Sequence, residues 1–154
     1  LTQDPITGLP GVVLAAQGGH LVVPIAVGLS EATALAAELD HIELERPMAH
    51  HLLAALLAQL GAHVRCIEVC DFVDGTFYAA IHIERSDGSA LVQDARPSDA
   101  LALAMHTGAQ VRVSPRVVDA MTRLDLAADW DTLLPPLDDP APPGPADAAS
   151  KWKM

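Results

Sequence analysis

The stretch Ala95–Ala109, ARPSDALALAMHTGA, frames the reading of the whole chain. Its Ala, Leu and Met residues make an almost entirely apolar helix, with Arg96, Ser98 and Asp99 at its mouth. Pro97 disfavours helix for Arg96, and Ser98 is expected to cap by accepting from first-turn amides. Asp99 brings negative charge where the helix dipole favours it, and Gly108 ends the helix. Arg96 has Asp94 and Asp99 in reach as partners. That account is complete in structural terms. A functional account uses the same groups: an arginine for phosphate, a helix N-terminus for anions, and a carboxylate for a metal or a proton.

Working outward, QVRVSP (110–115) reads as a short strand and RVVDAMTRL (116–124) as a short helix beyond Pro115. Upstream, HVRCIEVCDFV (63–73) alternates apolar and polar residues, Asp74-Gly75 marks a turn, and TFYAAIHIER (76–85) returns. Ser86-Asp87-Gly88 is a second turn before SALVQDA (89–95), which completes an antiparallel meander. Earlier still, Arg46-Pro47 precedes a helix, MAHHLLAALLAQLGA (48–62), with Leu53, Leu56, Leu57 and Leu60 on one stripe and Gly61 at its end. Ser30 is expected to cap a helix rich in Ala, Leu and Glu, with Glu31 at its positive end. Gly11–Val27 reads as two apolar strands around Gly18–Gly19. A strand pair, two helices, three strands, helix, strand and helix give an α+β domain with a largely antiparallel sheet and helices packed against it.

The chain has 154 residues, 51% of them hydrophobic and 19% charged, enough for one domain with a sizeable core. The net charge is −11; six acids and both lysines follow Arg123, which leaves 14 acids and 7 arginines, a net of −7, in residues 1–123. Bulk charge therefore supplies no phosphate-backbone affinity, and any nucleic-acid reading must answer this. The division expected is a domain over residues 1–123 and a disordered acidic tail over 124–154, where six of the twelve prolines lie in Pro135 to Pro145. No apolar run is long enough for a membrane span, and no start resembles a signal peptide. The chain opens at Leu1 rather than Met, which fits loss of a few residues ahead of it. Cys66 and Cys70 sit about 13 Å apart in an extended strand, too far for a disulfide. They read as reduced thiols of a cytoplasmic protein.

Other polar groups carry a structural and a functional reading side by side. His50 and His51 are adjacent on a helix, point about 100° apart, and are not expected to share a metal. His50, at the edge of the apolar face, is either a buried hydrogen-bonded histidine or a general acid/base. His106 lies two turns beyond Asp99, too far to pair with it. Glu43 and Glu45, at strand-like spacing, could hold Mg²⁺ but read as a solvated edge. No P-loop, dinucleotide fingerprint, HExxH or GxSxG is present, and aromatics at 3% supply no single-strand stacking platform.

Five ordered segments resemble the bifunctional nuclease (BFN) domain family. RPSDALALA (96–104) followed by Thr107-Gly108-Ala109 is similar to its signature. DPITGLP (4–10), LVVPIAVGLSEA (21–32), RPMAHHLL (46–53) and DGTFYA (74–79) resemble its other motifs in the same order, over about residues 1 to 120. The chain departs at His51, where the family usually has Asp, and at Ala26, where an aromatic is frequent. The family's first strand is missing or cut short at Leu1.

The resemblance implies a nuclease acting on RNA or DNA, with His50, Arg96, Ser98, Asp99 and Glu31 as the site and Asp94 as a further carboxylate. A divalent ion such as Mg²⁺ or Mn²⁺ would be held by carboxylates, the phosphate by Arg96, and a proton moved by His50. This reading expects His50, Arg96 and Asp99 to converge on one pocket. The alternative is a non-enzymatic homo-oligomer, a dimer for choice given the apolar excess, that binds a small anion or a protein partner. It expects Arg96 and Asp99 to pair with each other or with the backbone and to face no cleft.

Overall fold

A computed structural model describes residues 1–3, 8–15 and 22–123. Among these residues four helices and two mostly antiparallel sheets, where one sheet was expected, make the fold α+β; the elements keep the expected order apart from a short strand ahead of the first strand pair. Strands β1 (Thr2–Gln3), β2 (Pro10–Ala15) and β3 (Val22–Ala26) form an antiparallel sheet in that order. Val12 faces Ile25 and Leu14 faces Val23 across β2 and β3. The expected Gly18–Gly19 turn and the acidic tail both lie outside the described residues.

Helices α1 (Leu29–Leu39) and α2 (Ala49–Gln59) lead to the meander β4 (Ala62–Val73), β5 (Thr76–Arg85) and β6 (Ala90–Ala95). Asp74 and Gly75 take positive φ at the first turn, and Gly88 does so at the second. Then come α3 (Pro97–Thr107), β7 (Gln110–Val113) and α4 (Pro115–Arg123). The second sheet runs β6-β5-β4-β7, and β7 joins β4 in parallel. Register shifts in β4 fall between Val64 and Cys66 and between Val69 and Asp71. Each inserts one residue and flips the alternation, which is why Cys66 and Ile67 are both buried.

Helix α3 is the centre of the packing. It contacts α1 and α2 on one side and β4 and β5 on the other. Seven of its eleven residues are buried, so the apolar stretch is apolar because it is covered on most sides. Gly108 ends it at φ 70°, a left-handed value that glycine adopts without strain. Val23, Ile25, Leu35, Ile67, Val69, Leu101, Leu103 and Val117 belong to one core. Cys66 is buried and Cys70 half-buried, and both are free thiols. Among the described residues no helix is long and apolar enough to cross a membrane.

Three local expectations need correction. Neither serine caps its helix: Gly28 and Arg96 occupy the N-cap positions, with no side-chain cap bond at either. Pro97, with its fixed φ and missing N–H, is suited to the first helical position, so α3 starts one residue before Ser98. Of the leucine stripe of α2, only Leu57 packs against the core. Leu53, Leu56 and Leu60 are exposed, and α2 packs instead through His50, Ala54 and Leu57. Glu43 and Glu45 are exposed as expected, but they lie in a loop rather than a strand.

Candidate functional site

The chain leaves β6 at Ala95 and enters α3 at Pro97, so Arg96 stands at the junction beside the start of α1. Its guanidinium holds Asp99 with two bonds, Nε to Oδ2 at 2.9 Å and Nη2 to Oδ1 at 3.1 Å. Nη1 reaches across to Glu31 Oε1 at 2.9 Å. Ser30 Oγ donates to the other Glu31 oxygen at 2.8 Å. A side chain at Gly28 would collide with that oxygen, so glycine leaves the carboxylate its place. The Ser30 hydrogen bond, then a backbone bond and Arg96, hold the Glu31 carboxyl below its usual range despite some burial. Asp99 and Glu31 in turn raise the Arg96 guanidinium, which stays charged. Asp94 makes no ion pair with Arg96; Glu31 takes that place.

This brace has a pH signature. A depressed folded-state pKa stabilises the fold above the unfolded value and loses that contribution as pH falls through it. Stability of the parent is therefore expected to fall as pH drops below 4.5, the ordinary Glu value, and Glu31→Gln is expected to show a shallower fall. Arg96 is 66% exposed, so the gap at neutral pH is at most about 1 kcal/mol. Urea midpoints of both proteins from about pH 6 to about pH 3 check it; parallel curves would refute it.

Behind the brace lies a cavity of about 550 Å³ between α1, α2, α3 and the sheet. Glu31, His50, Asp94, Ser98 and Asp99 line it. Arg96 lies on an adjoining cavity of about 260 Å³, which shares Glu31 and Ser98. The structure thus brings four of the five expected site residues to one cavity and sets Arg96 at its edge. Ser98 is only 8% exposed, and its hydroxyl makes no hydrogen bond with the described residues. A buried hydroxyl without a protein partner on a cavity wall is a donor available to a ligand oxygen.

His50 does not meet Arg96 or Asp99 directly. Its Nε2 lies 2.9 Å from Oε1 of Glu38, a residue the sequence reading passed over. The signal available was spacing: Glu38 follows Glu31 by two turns of α1 and shares its side of the helix. His51 corrects another expectation, since its Nε2 also reaches Glu38 Oε1, at 2.5 Å. Two adjacent helical histidines converge because their side chains bend toward one point; the backbone angle alone does not decide it. His106, from the last turn of α3, places Nδ1 3.5 Å from the same oxygen. Burial pushes the Glu38 carboxyl up, but bonds from His50 and His51 and the nearby His106 outweigh it and leave it lowered.

The family model of the bifunctional nuclease domain matches residues 12–124, a span holding every residue of the cavity, the brace and the histidine cluster. An uncharacterized protein of Mycobacterium tuberculosis is 35% identical over 109 residues, which cover 71% of this chain and 64% of that protein. Bifunctional nuclease 1 of Oryza sativa subsp. japonica is 24% identical over 102 residues, 65% of this chain and 31% of the rice protein. The chain therefore spans less than two thirds of the mycobacterial relative and under a third of the rice one. The family match covers most of the sequence and all of the site: the chain belongs to the bifunctional nuclease domain family.

Proposed function

We propose that this chain hydrolyses phosphodiester bonds of RNA or DNA in the cavity between α1, α2 and α3, with Mg²⁺ or Mn²⁺ bound together with the substrate. The observation that carries the reading is the cavity wall: three carboxylates, Glu31, Asp94 and Asp99, beside the unspent hydroxyl of Ser98 and the imidazole of His50. Such a wall repels a phosphate unless a cation comes between them. Mg²⁺ suits it, because that ion is held by one or two carboxylates plus substrate phosphate oxygens and keeps several waters. The same ion answers the domain's net negative charge locally. Arg96 uses three of its five N–H groups on Asp99 and Glu31, which leaves two for a phosphate at the cavity edge. With Nε2 of His50 engaged by Glu38, Nδ1 is the nitrogen that moves a proton to or from the reacting oxygen. Kinship with rice proteins named as bifunctional nucleases supports the reaction class.

The test is cleavage of labelled single-stranded RNA and DNA by the purified chain with Mg²⁺, Mn²⁺ or EDTA. Cleavage is expected only with metal, and Asp99→Asn, checked for folding, is expected to lower it about tenfold by weakening the ion's hold. Absence of cleavage, or cleavage indifferent to EDTA and to Asp99→Asn, overturns the reading.

One set of observations favours a second reading, a non-enzymatic oligomer, a dimer first of all, that binds a small anion or a protein partner. Arg96 is paired on both sides, and α2 leaves Leu52, Leu53, Leu56 and Leu60 exposed on one helix. In that case Leu56→Glu shifts the sedimenting species to the monomer, and no nuclease activity accompanies the assembly. We infer a cytoplasmic location from the two free thiols, which a reducing compartment keeps reduced; burial raises the Cys70 thiol.

A further inference from the structure

Three imidazoles from two helices aim at one carboxylate oxygen. His50 Nε2, His51 Nε2 and His106 Nδ1 lie 2.9, 2.5 and 3.5 Å from Glu38 Oε1. One carboxylate oxygen has about two lone-pair sites, so it cannot serve three N–H donors well. The rings are also packed on one another, with centroids 4.2 Å apart for His50 and His51 and 4.4 Å for His51 and His106. Protonated rings at such distances repel. The cluster is well covered, with Glu38 14%, His50 8% and His51 20% exposed. Hydrogen bonding alone accounts poorly for so many nitrogens around one oxygen.

We propose that Glu38, His50 and His51 form a site for a borderline-soft divalent metal, Zn²⁺ before all, with His106 or a water as fourth ligand. The ligand atoms of Glu38, His50 and His51 all lie within 4.8 Å of one another. Tetrahedral zinc with bonds near 2.0–2.1 Å sets its ligand atoms about 3.3 Å apart, so closure takes shifts of about 1 Å. Imidazole-rich sets favour Zn²⁺, Cu²⁺ or Ni²⁺ over Mg²⁺, which prefers oxygen. The site therefore differs in chemistry from the carboxylate wall of the cavity, although His50 borders both. The two proposals rest on different groups of residues but share His50: a zinc ion at its Nε2 would fix the ring proton on Nδ1 and take that ring out of proton transfer.

Metal binding has a local consequence at His51. Its Nδ1 accepts the Met48 N–H at 3.0 Å, so the proton of the neutral ring sits on Nε2. A metal at Nε2 requires the lone pair there. The proton moves to Nδ1, and the Met48 N–H loses its acceptor at the start of α2.

The experiment titrates the tag-free full chain, stripped with EDTA and dialysed, with Zn²⁺ by calorimetry, and records the Met48 amide resonance alongside. One Zn²⁺ per chain is expected, uncontested by excess Mg²⁺, with a shift of the Met48 amide. Glu38→Gln and His51→Ala are expected to weaken binding by at least about tenfold, whereas exposed His63→Ala leaves it unchanged. No saturable uptake, or equal uptake by parent and both variants, overturns the proposal. Should those variants unfold, the Co²⁺-loaded parent and His106→Gln carry the test. A tetrahedral Co²⁺ absorption band in the parent, moved or weakened in the variant, supports the site, and absence of that band from the parent refutes it. No arm reads cleavage, so an inactive nuclease leaves the result standing.

Discussion

His50→Gln is expected to slow phosphodiester cleavage about a thousandfold, within the range that a positioned acid or base supplies. His50 is 8% exposed, lines the cavity beside Ser98 and Asp99, and has its Nε2 fixed by Glu38. The glutamine amide can still donate toward Glu38, so the local packing and that hydrogen bond are kept. It has no proton to give or take near neutral pH. The loss should fall on kcat, with KM nearly unchanged, because proton transfer belongs to the transition state. Glu38→Gln is expected to cost less, since it removes only the group that orients the ring. Both are measured with saturating Mg²⁺ and a zinc-selective chelator, so that the difference reports the imidazole rather than an ion at Glu38. His50→Gln cleaving within a few-fold of the parent would remove His50 from the reaction.

How much of this was legible depends on whether the signal was local. The meander was, because Asp74-Gly75 and Gly88 mark turns that few other residues accept and the strands between them alternate. The end of α3 was, because Gly108 supplies the left-handed residue the helix needs there. The start of α3 was misplaced by two residues, from an N-cap at Ser98 to one at Arg96, since the serine preference at N-caps competes with the proline preference at the first helical position, and proline won. The burial of α2 was misread for a different reason. Periodicity finds an apolar stripe but cannot say which side a neighbouring helix will cover, and α3 covers the side bearing His50, Ala54 and Leu57.

The site divides in the same way. Arg96 and Asp99 are three residues apart on one helix start, so their pairing could be read from spacing. The Arg96–Glu31 contact joins α3 to α1, and the Glu38 cluster joins residues 38, 50, 51 and 106 from three helices. Such convergence is decided by how α1 and α2 lean on α3, which no single segment encodes. The helix mouth consequently combines a local pairing with a place on a cavity wall. Arg96 and Asp99 pair with each other, and Asp99 also lines the cavity that His50 lines, with Arg96 outside it.

Leu103→Ala is expected to cost about 3 to 4 kcal/mol, near the middle of the range for fully buried leucines. Leu103 is 0% exposed and sits on the helix that α1, α2, β4 and β5 all touch. Neighbours on several elements cannot all close over the deleted atoms, so part of the space stays empty and its lining loses dispersion contacts. The melting temperature should fall by about 10 °C for a chain of this size. Leu56→Ala removes the same atoms from a site 46% exposed on α2 and should cost under about 0.5 kcal/mol in a monomer. Calorimetric melts of both variants at matched concentration make the comparison. A cost below about 1 kcal/mol at Leu103 would mean that α3 is not held at the centre of the fold. Its N-terminus carries Arg96, Ser98 and Asp99, so the cavity built on that placement would then fall with it.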